Sequence, residues 1–249
     1  MTGRTDQAQQ LIQNIPGIEQ IQPSLLRRLT IPDDIKTLNI QACLSLPDGR
    51  FILSDFDDKQ LLLFGNDGIF IREVVTFTNC PGDVCFVRNN TVAVTLGAAY
   101  KTVLVDIEKN EIIQTIELSH YCKGKWSEIV FHYTKEMSIS HFENNVECYE
   151  INGDPLWTFL PHDLSNVNSI QGLTLDKNGF VYIASRKNNS IVVVSPDGQT
   201  SKTILSKSDG IKDPWAININ RATGIMIVSS KIRDDSSDIL YDTAFVYKI

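Results

Sequence analysis

The sequence has no apolar run approaching the ~20 residues that a membrane-spanning helix requires, and its opening stretch "MTGRTDQAQQLIQNIPG" lacks the continuous apolar segment of a secretory signal. Both absences point to a cytoplasmic chain without a helical membrane anchor. Basic excess is lacking too. Lys and Arg number 23 against 30 Asp and Glu, and the net charge of −7 removes any general attraction to phosphate backbones or anionic lipid. The five cysteines (Cys43, Cys80, Cys85, Cys122 and Cys148) are odd in number, which argues against a disulfide framework. Most lie in apolar runs such as "QACLSL", "DVCFV" and "VECYEI", so they are expected to be reduced core thiols.

Catalytic and phosphate-binding signatures are also missing. There is no Gly-rich phosphate loop, no G-x-S-x-G elbow and no H-E-x-x-H helix. His120, Cys122, His132, His141 and Cys148 share one region, but without the close ligand pairs that zinc needs, and Cys80 and Cys85 have no downstream pair. The acidic turn Asp55-Phe56-Asp57-Asp58-Lys59-Gln60 resembles a hard-cation loop only in charge. It has Gln60 where an EF-hand requires Gly, and the matching turn of a later copy is Arg186-Lys187-Asn188-Asn189. No metal and no cofactor is expected.

What the sequence does contain is a repeat. "CLSLPDGRFILSD", "VCFVRNNTVAVTL", "IVFHYTKEMSISH", "GLTLDKNGFVYIAS" and "AININRATGIMIVSS" each read as an apolar strand, a turn and a second apolar strand. They recur roughly every 40 to 45 residues, the period of a four-stranded propeller blade. Four units continue into two more strands: "KQLLLFGNDGIFIREVVTF", "KTVLVDIEKNEIIQTIEL", "NNVECYEINGDPLWTFL" and "NSIVVVSPDGQTSKTIL". Their joining turns "NDG", "EKN", "NGD" and "PDG" are rich in residues that tolerate positive φ. The fifth unit ends at its third strand, "TAFVYKI". The isolated run "SLLRRLTI" (24–31) is the expected donor of the missing fourth, which would leave no open edge in the last blade.

The expectation is therefore an all-β propeller of four-stranded blades, five recognisable, closed by an N-terminal strand. It spans 23–249, and residues 1–22 form a linker, disordered or with a short helix over "DQAQQLIQNI". The stretch "HYCKGKWSEIVFHY" marks a join where a blade has been shortened or removed, leaving either a five-bladed ring or a six-blade geometry with a gap.

Without a chemical motif, partner binding is the expected role. The candidate contact residues are the aromatics Phe56, Tyr100, Trp126, Phe142 and Trp215, in or near loops, and the basic Arg186, Lys187 and Arg233 in turns between second and third strands. Trp157 in "PLWTFL" is expected in the core. Arg186, Lys187, Lys231 and Arg233 could form a local basic spot for RNA, although these turns carry an acidic excess. Asp83, Glu128 and Asp213 stand at the starts of inner strands, where a propeller enzyme would place carboxylates, but no acid and base pair is distinguished.

The units "GRFILSD…KQLLLFGNDGIFIREV" and "NGFVYIAS…NSIVVVSPDG" resemble NHL-type blades, and the chain from "IQPSLLRRLTIP" onward resembles the C-terminal propeller of bivalve-type B-box or tripartite-motif (TRIM) proteins. That resemblance implies a domain recruiting a protein partner or ubiquitination substrate. Relatives that also carry RING, B-box and coiled-coil parts act as E3 ubiquitin ligases, usually with six blades. The Cys/His-rich RING and B-box patterns are absent from this sequence, so the chain itself is expected not to be an enzyme.

Overall fold

Strands form where β-branched and aromatic residues run between Gly, Asn and Asp turns. The structure, a computed structural model, describes residues 17–32, 35, 38–118, 129–134, 137–142, 145–150, 154–159, 169–233 and 240–249. "DQAQQLIQNI", "NGD" at its first two residues, Cys122, Trp126 and Glu128 lie outside them, and side chains within 129–144 are not described. Among these residues twenty strands make five four-stranded antiparallel sheets. Blade 1 is β2 (Ile40–Ser45), β3 (Phe51–Asp55), β4 (Gln60–Phe64) and β5 (Phe70–Thr76). Blade 2 is β6 (Val84–Arg88), β7 (Thr91–Leu96), β8 (Lys101–Asp106) and β9 (Glu111–Glu117). Blade 3 is β10 (Ile129–Thr134), β11 (Met137–Phe142), β12 (Asn145–Glu150) and β13 (Pro155–Phe159). Blade 4 is β14 (Ile170–Leu175), β15 (Val181–Ser185), β16 (Ser190–Val194) and β17 (Ser201–Leu205). Strands in each blade are called a to d from first to last in this order.

Blade 5 is built from both ends of the described chain: β18 (Ile217–Asn220), β19 (Ile225–Arg233), β20 (Leu240–Lys248) and then β1 (Ser24–Arg28) as strand d. β1 pairs antiparallel with β20, Leu25 opposite Tyr247 and Arg28 opposite Phe245, and the Leu29 N–H donates to the Ala244 carbonyl at 2.8 Å. The closure expected for "SLLRRLTI" is therefore present. Ahead of it, Ile18–Gln20 make one 3-10 turn, and Ile21 packs with Tyr182 and Tyr247 between blades 4 and 5. The c–d turns follow their residue chemistry, with φ of +84° at Gly68, +57° at Asn110 and +71° at Gly198.

Apolar clusters join blade 1 to blade 2, blade 3 to blade 4, blade 4 to blade 5, and blade 5 to blade 1. Among the described residues none joins blade 2 to blade 3. In blade 1 both rows crossing the sheet, Cys43–Leu53–Leu62 and Leu44–Ile52–Leu63, are buried, because a neighbour covers each face. In blade 2 the row Val84–Val94–Val103 is buried against blade 1. The other row is not: Cys85 is exposed, Ala93 and Leu104 are half-buried, and Gln114 is exposed. Among the described residues, blade 2 is therefore packed on the face toward blade 1, and its other row, which includes Thr91, Ala93, Thr95 and Thr102, is partly exposed. The same geometry corrects one expectation. Cys43 and Cys148 are buried, Cys80 is intermediate, and Cys85 is not a core thiol but a surface one.

Two outcomes follow. Leu29 is 1% exposed in the cluster joining blades 5 and 1, whereas Leu26 on β1 is 45% exposed. In denaturant unfolding Leu29→Ala is expected to lose about 2–5 kcal/mol and Leu26→Ala no more than about 0.5 kcal/mol; equal losses would mean that β1 is not held against the body. Under native conditions a maleimide is expected to modify Cys85 and leave Cys43 intact, because Cys85 is exposed and Cys43 buried, although burial pushes both thiol pKa values up, and peptide mass mapping reads both sites.

Candidate functional site

The b–c turns of blades 4 and 1, the ends of β19 and β20 in blade 5, and the connections into β18 and β2 surround a cavity of about 430 Å³. Its wall includes Asp57 from the b–c turn of blade 1, Arg186 from that of blade 4, and Lys231, Tyr241 and Asp242 from blade 5. Asp213 and Trp215, on the approach to β18, complete the side chains of interest.

Local hydrogen bonds hold this wall in place. Asp213 has a left-handed φ of +44°, and its N–H donates to Asn189 Oδ1 at 2.9 Å, so the b–c turn of blade 4 holds the approach to blade 5. Ser230 Oγ accepts from the Lys212 N–H at 2.8 Å, and the Lys231 N–H donates to the Lys212 carbonyl at 2.8 Å. Ser229 Oγ accepts from the Ala216 N–H at 2.8 Å. Together these bonds pin residues 212–216 to the end of β19. Gly172 lets blade 4 approach Trp215, because a Cβ there would lie 2.8 Å from the Trp215 carbonyl oxygen. The Arg186 guanidinium carbon stands 5.0 Å from the Trp215 ring centroid, within cation–π range.

The acidic turn of blade 1 has a structural task. Asp55 is fully buried; Oδ1 accepts from the Asn39 N–H at 3.0 Å and the Asp57 N–H at 3.4 Å, and Oδ2 accepts from Gln60 Nε2 at 3.1 Å. Burial raises its pKa, those hydrogen bonds oppose the rise, and Asp58 adds to it. Asp242, opposite Lys231 in the β19–β20 ladder, is 9% exposed, and its Oδ2 accepts from the Ile40 N–H at 2.8 Å, tying blade 5 to the first strand of blade 1. Burial raises its pKa as well. The Ile40 N–H and Lys231 oppose this, while the Asp213 and Asp55 carboxylates add to it.

Of the residues chosen from sequence, the fold brings Arg186 and Trp215 together in this cavity. Lys187 is exposed beside Arg186, and Phe56 is half-buried in its turn; neither lines the cavity. Tyr100, 47% exposed with a left-handed φ of +55°, ends the b–c connection of blade 2, away from the three blades that build the wall. Phe142 and Arg233 end strands on the b–c side, and their side chains are not described; Trp126 lies outside the described residues. Trp157 is half-buried at the seam between blades 3 and 4, where its Nε1–H donates to the Pro196 carbonyl at 2.9 Å. Asp83 is exposed and Asp213 lines the cavity.

Sequence reading passed over Asp242 and Tyr241. They are paired with the wall only through the β19–β20 register, and "YDTAFVYKI" by itself gives no sign that Asp242 turns inward. Among the described residues no group of three or more His, Cys, Asp or Glu is arranged to hold a metal ion. A second cavity of about 340 Å³ lies on the opposite face among Asp176, Tyr182, Arg221 and Lys248. Its polar groups are already engaged: Arg221 with the Leu175 carbonyl, Lys248 with the Thr223 carbonyl, and the Tyr182 hydroxyl with Asp176.

The raised pKa of Asp242 carries a signed consequence. A carboxyl harder to ionise when folded costs stability once charged; the cost is absent below its ordinary value of 3.8 and grows as pH rises through the folded value. Asp242→Asn is therefore expected to be more stable than the parent at neutral pH and to lose that advantage as pH falls below about 4. Urea unfolding across a pH series measures this, and a variant less stable at neutral pH would mean that the charge is stabilised.

No family model matches the sequence, and no curated protein matches it. Among solved structures, the chain is similar to the WD40 β-propeller domain of Doa1 with a TM-score of 0.57 and 11% identity, over 91% of this chain and 96% of that one. At that identity the likeness bears on the fold alone: the chain is a β-propeller.

Proposed function

We propose that this chain is a non-catalytic propeller that recruits a protein partner in the cytoplasm through its b–c face, as the partner- or substrate-recruiting region of a TRIM-type E3 ubiquitin ligase. The observation that carries the reading is the cavity on that face, where three blades bring Arg186, Trp215, Lys231, Tyr241 and Asp57 together on a rigid frame. Interfaces draw their energy from Trp, Tyr and Arg set in a concave surface. The ligase part rests on the resemblance of the repeat units to NHL-type blades. RNA binding by the same face has less support, because Asp57, Asp213 and Asp242 stand among Arg186 and Lys231 and cancel the positive field that phosphates need.

The test is affinity capture from cytosolic extract with the parent and with variants of each face. A saturable protein partner is expected, weakened at least about 30-fold by Trp215→Ala and by Arg186→Glu, and unaffected by Lys177→Glu on the opposite face. Thermal melts of each variant separate lost contact from lost fold. Finding no saturable protein partner, or capture that disappears with ribonuclease, would overturn the reading, the latter in favour of RNA.

A further inference from the structure

Resting on that reading, we infer that the cavity is a socket for a cationic side chain of the partner, arginine before lysine. The buried carboxylate of Asp242 is the receiving group, Asp213 stands beside it, and Tyr241 supplies aromatic wall next to the Arg186–Trp215 pair.

Asp242 carries the argument. It is 9% exposed and lines the cavity, yet only its Oδ2 is used, by the Ile40 N–H. No hydrogen bond to Oδ1 is found among the described residues. A buried carboxylate that lines a cavity with one oxygen uncommitted favours a donor that brings positive charge. No described ion pair involves Asp57, Asp213 or Asp242. The two basic side chains of the wall do not fill that role. Arg186 lies over the Trp215 ring, and Lys231, opposite Asp242 in the ladder, acts on it through its charge but forms no ion pair or hydrogen bond with it among those described.

The carboxylates do not converge on a point as metal ligands would, which suits an extended organic cation better than an ion. A cavity of about 430 Å³ fits one long side chain with its stem. Aromatic wall favours guanidinium over ammonium, because a planar, weakly hydrated cation can stack on a ring while its edge donates to a carboxylate. The chain's net charge of −7 draws such a partner in.

The probes are capped Gly-Gly-Arg-Gly-Gly and the same peptide with lysine, citrulline or glutamate at its centre, titrated against the full chain by NMR of the tryptophan indoles. The arginine peptide is expected to bind with a Kd on the order of 1 mM, lysine more weakly, and citrulline and glutamate at least about tenfold more weakly. Asp242→Asn is expected to weaken the arginine peptide about tenfold. Asp213→Asn, which leaves the bond to Ile40 intact, should weaken it in the same direction. Equal binding of citrulline and arginine, no binding of arginine up to about 30 mM, preference for glutamate, or an arginine affinity untouched by both substitutions would each overturn the socket. Those results are separable from extract capture: a partner still lost with Trp215→Ala would leave the binding face standing without the arginine socket.

Discussion

Everything in this molecule depends on the ladder between β1 and β20. A blade cannot stand alone, because a four-stranded sheet with two apolar faces needs a neighbour on each. The last blade has only three strands of its own until β1 arrives from the other end of the described chain. With Leu29 seated in the cluster of Leu38, Phe64 and Val246, the same pairing that completes blade 5 also welds it to blade 1. The cavity on the b–c face spans blades 4, 5 and 1, so its wall is assembled at the weld.

Two polar contacts act on the same seam. Asp242 takes the N–H that opens β2, and Cys43 Sγ lies 3.5 Å from the Ile227 carbonyl across the boundary. A buried charge is an expensive way to join two sheets. Here it sits beside Lys231 and at a cavity, where a visiting cation could offset part of its cost. The cost and the recognition proposed for the socket thus share one origin.

Blade 2 differs from blades 1 and 4 in the burial of its second strand. Its central strand "TVAVTL" alternates, with Val92, Val94 and Leu96 buried and Thr91, Ala93 and Thr95 not, whereas "FILSD" in blade 1 and "VYIAS" in blade 4 are buried throughout. The alternation is visible in the sequence as period-two polarity, the pattern of a strand with one buried face. Cys85 lay within an apolar run and was misread as core, because run composition does not say which face of a strand a neighbour covers.

The repeat, the five blades, the c–d turns and the strand exchange were all legible from residue order, because period-two patterning and positive-φ turn residues are local properties written into adjacent positions. Arg186 and Trp215 were legible as aromatic and basic loop residues, though not as a pair. Their meeting and the inward carboxylate of Asp242 came only with the tertiary structure. Each joins residues far apart in the chain, and which side chains share a wall is decided by how blades pack around an axis, a geometry that no single strand encodes.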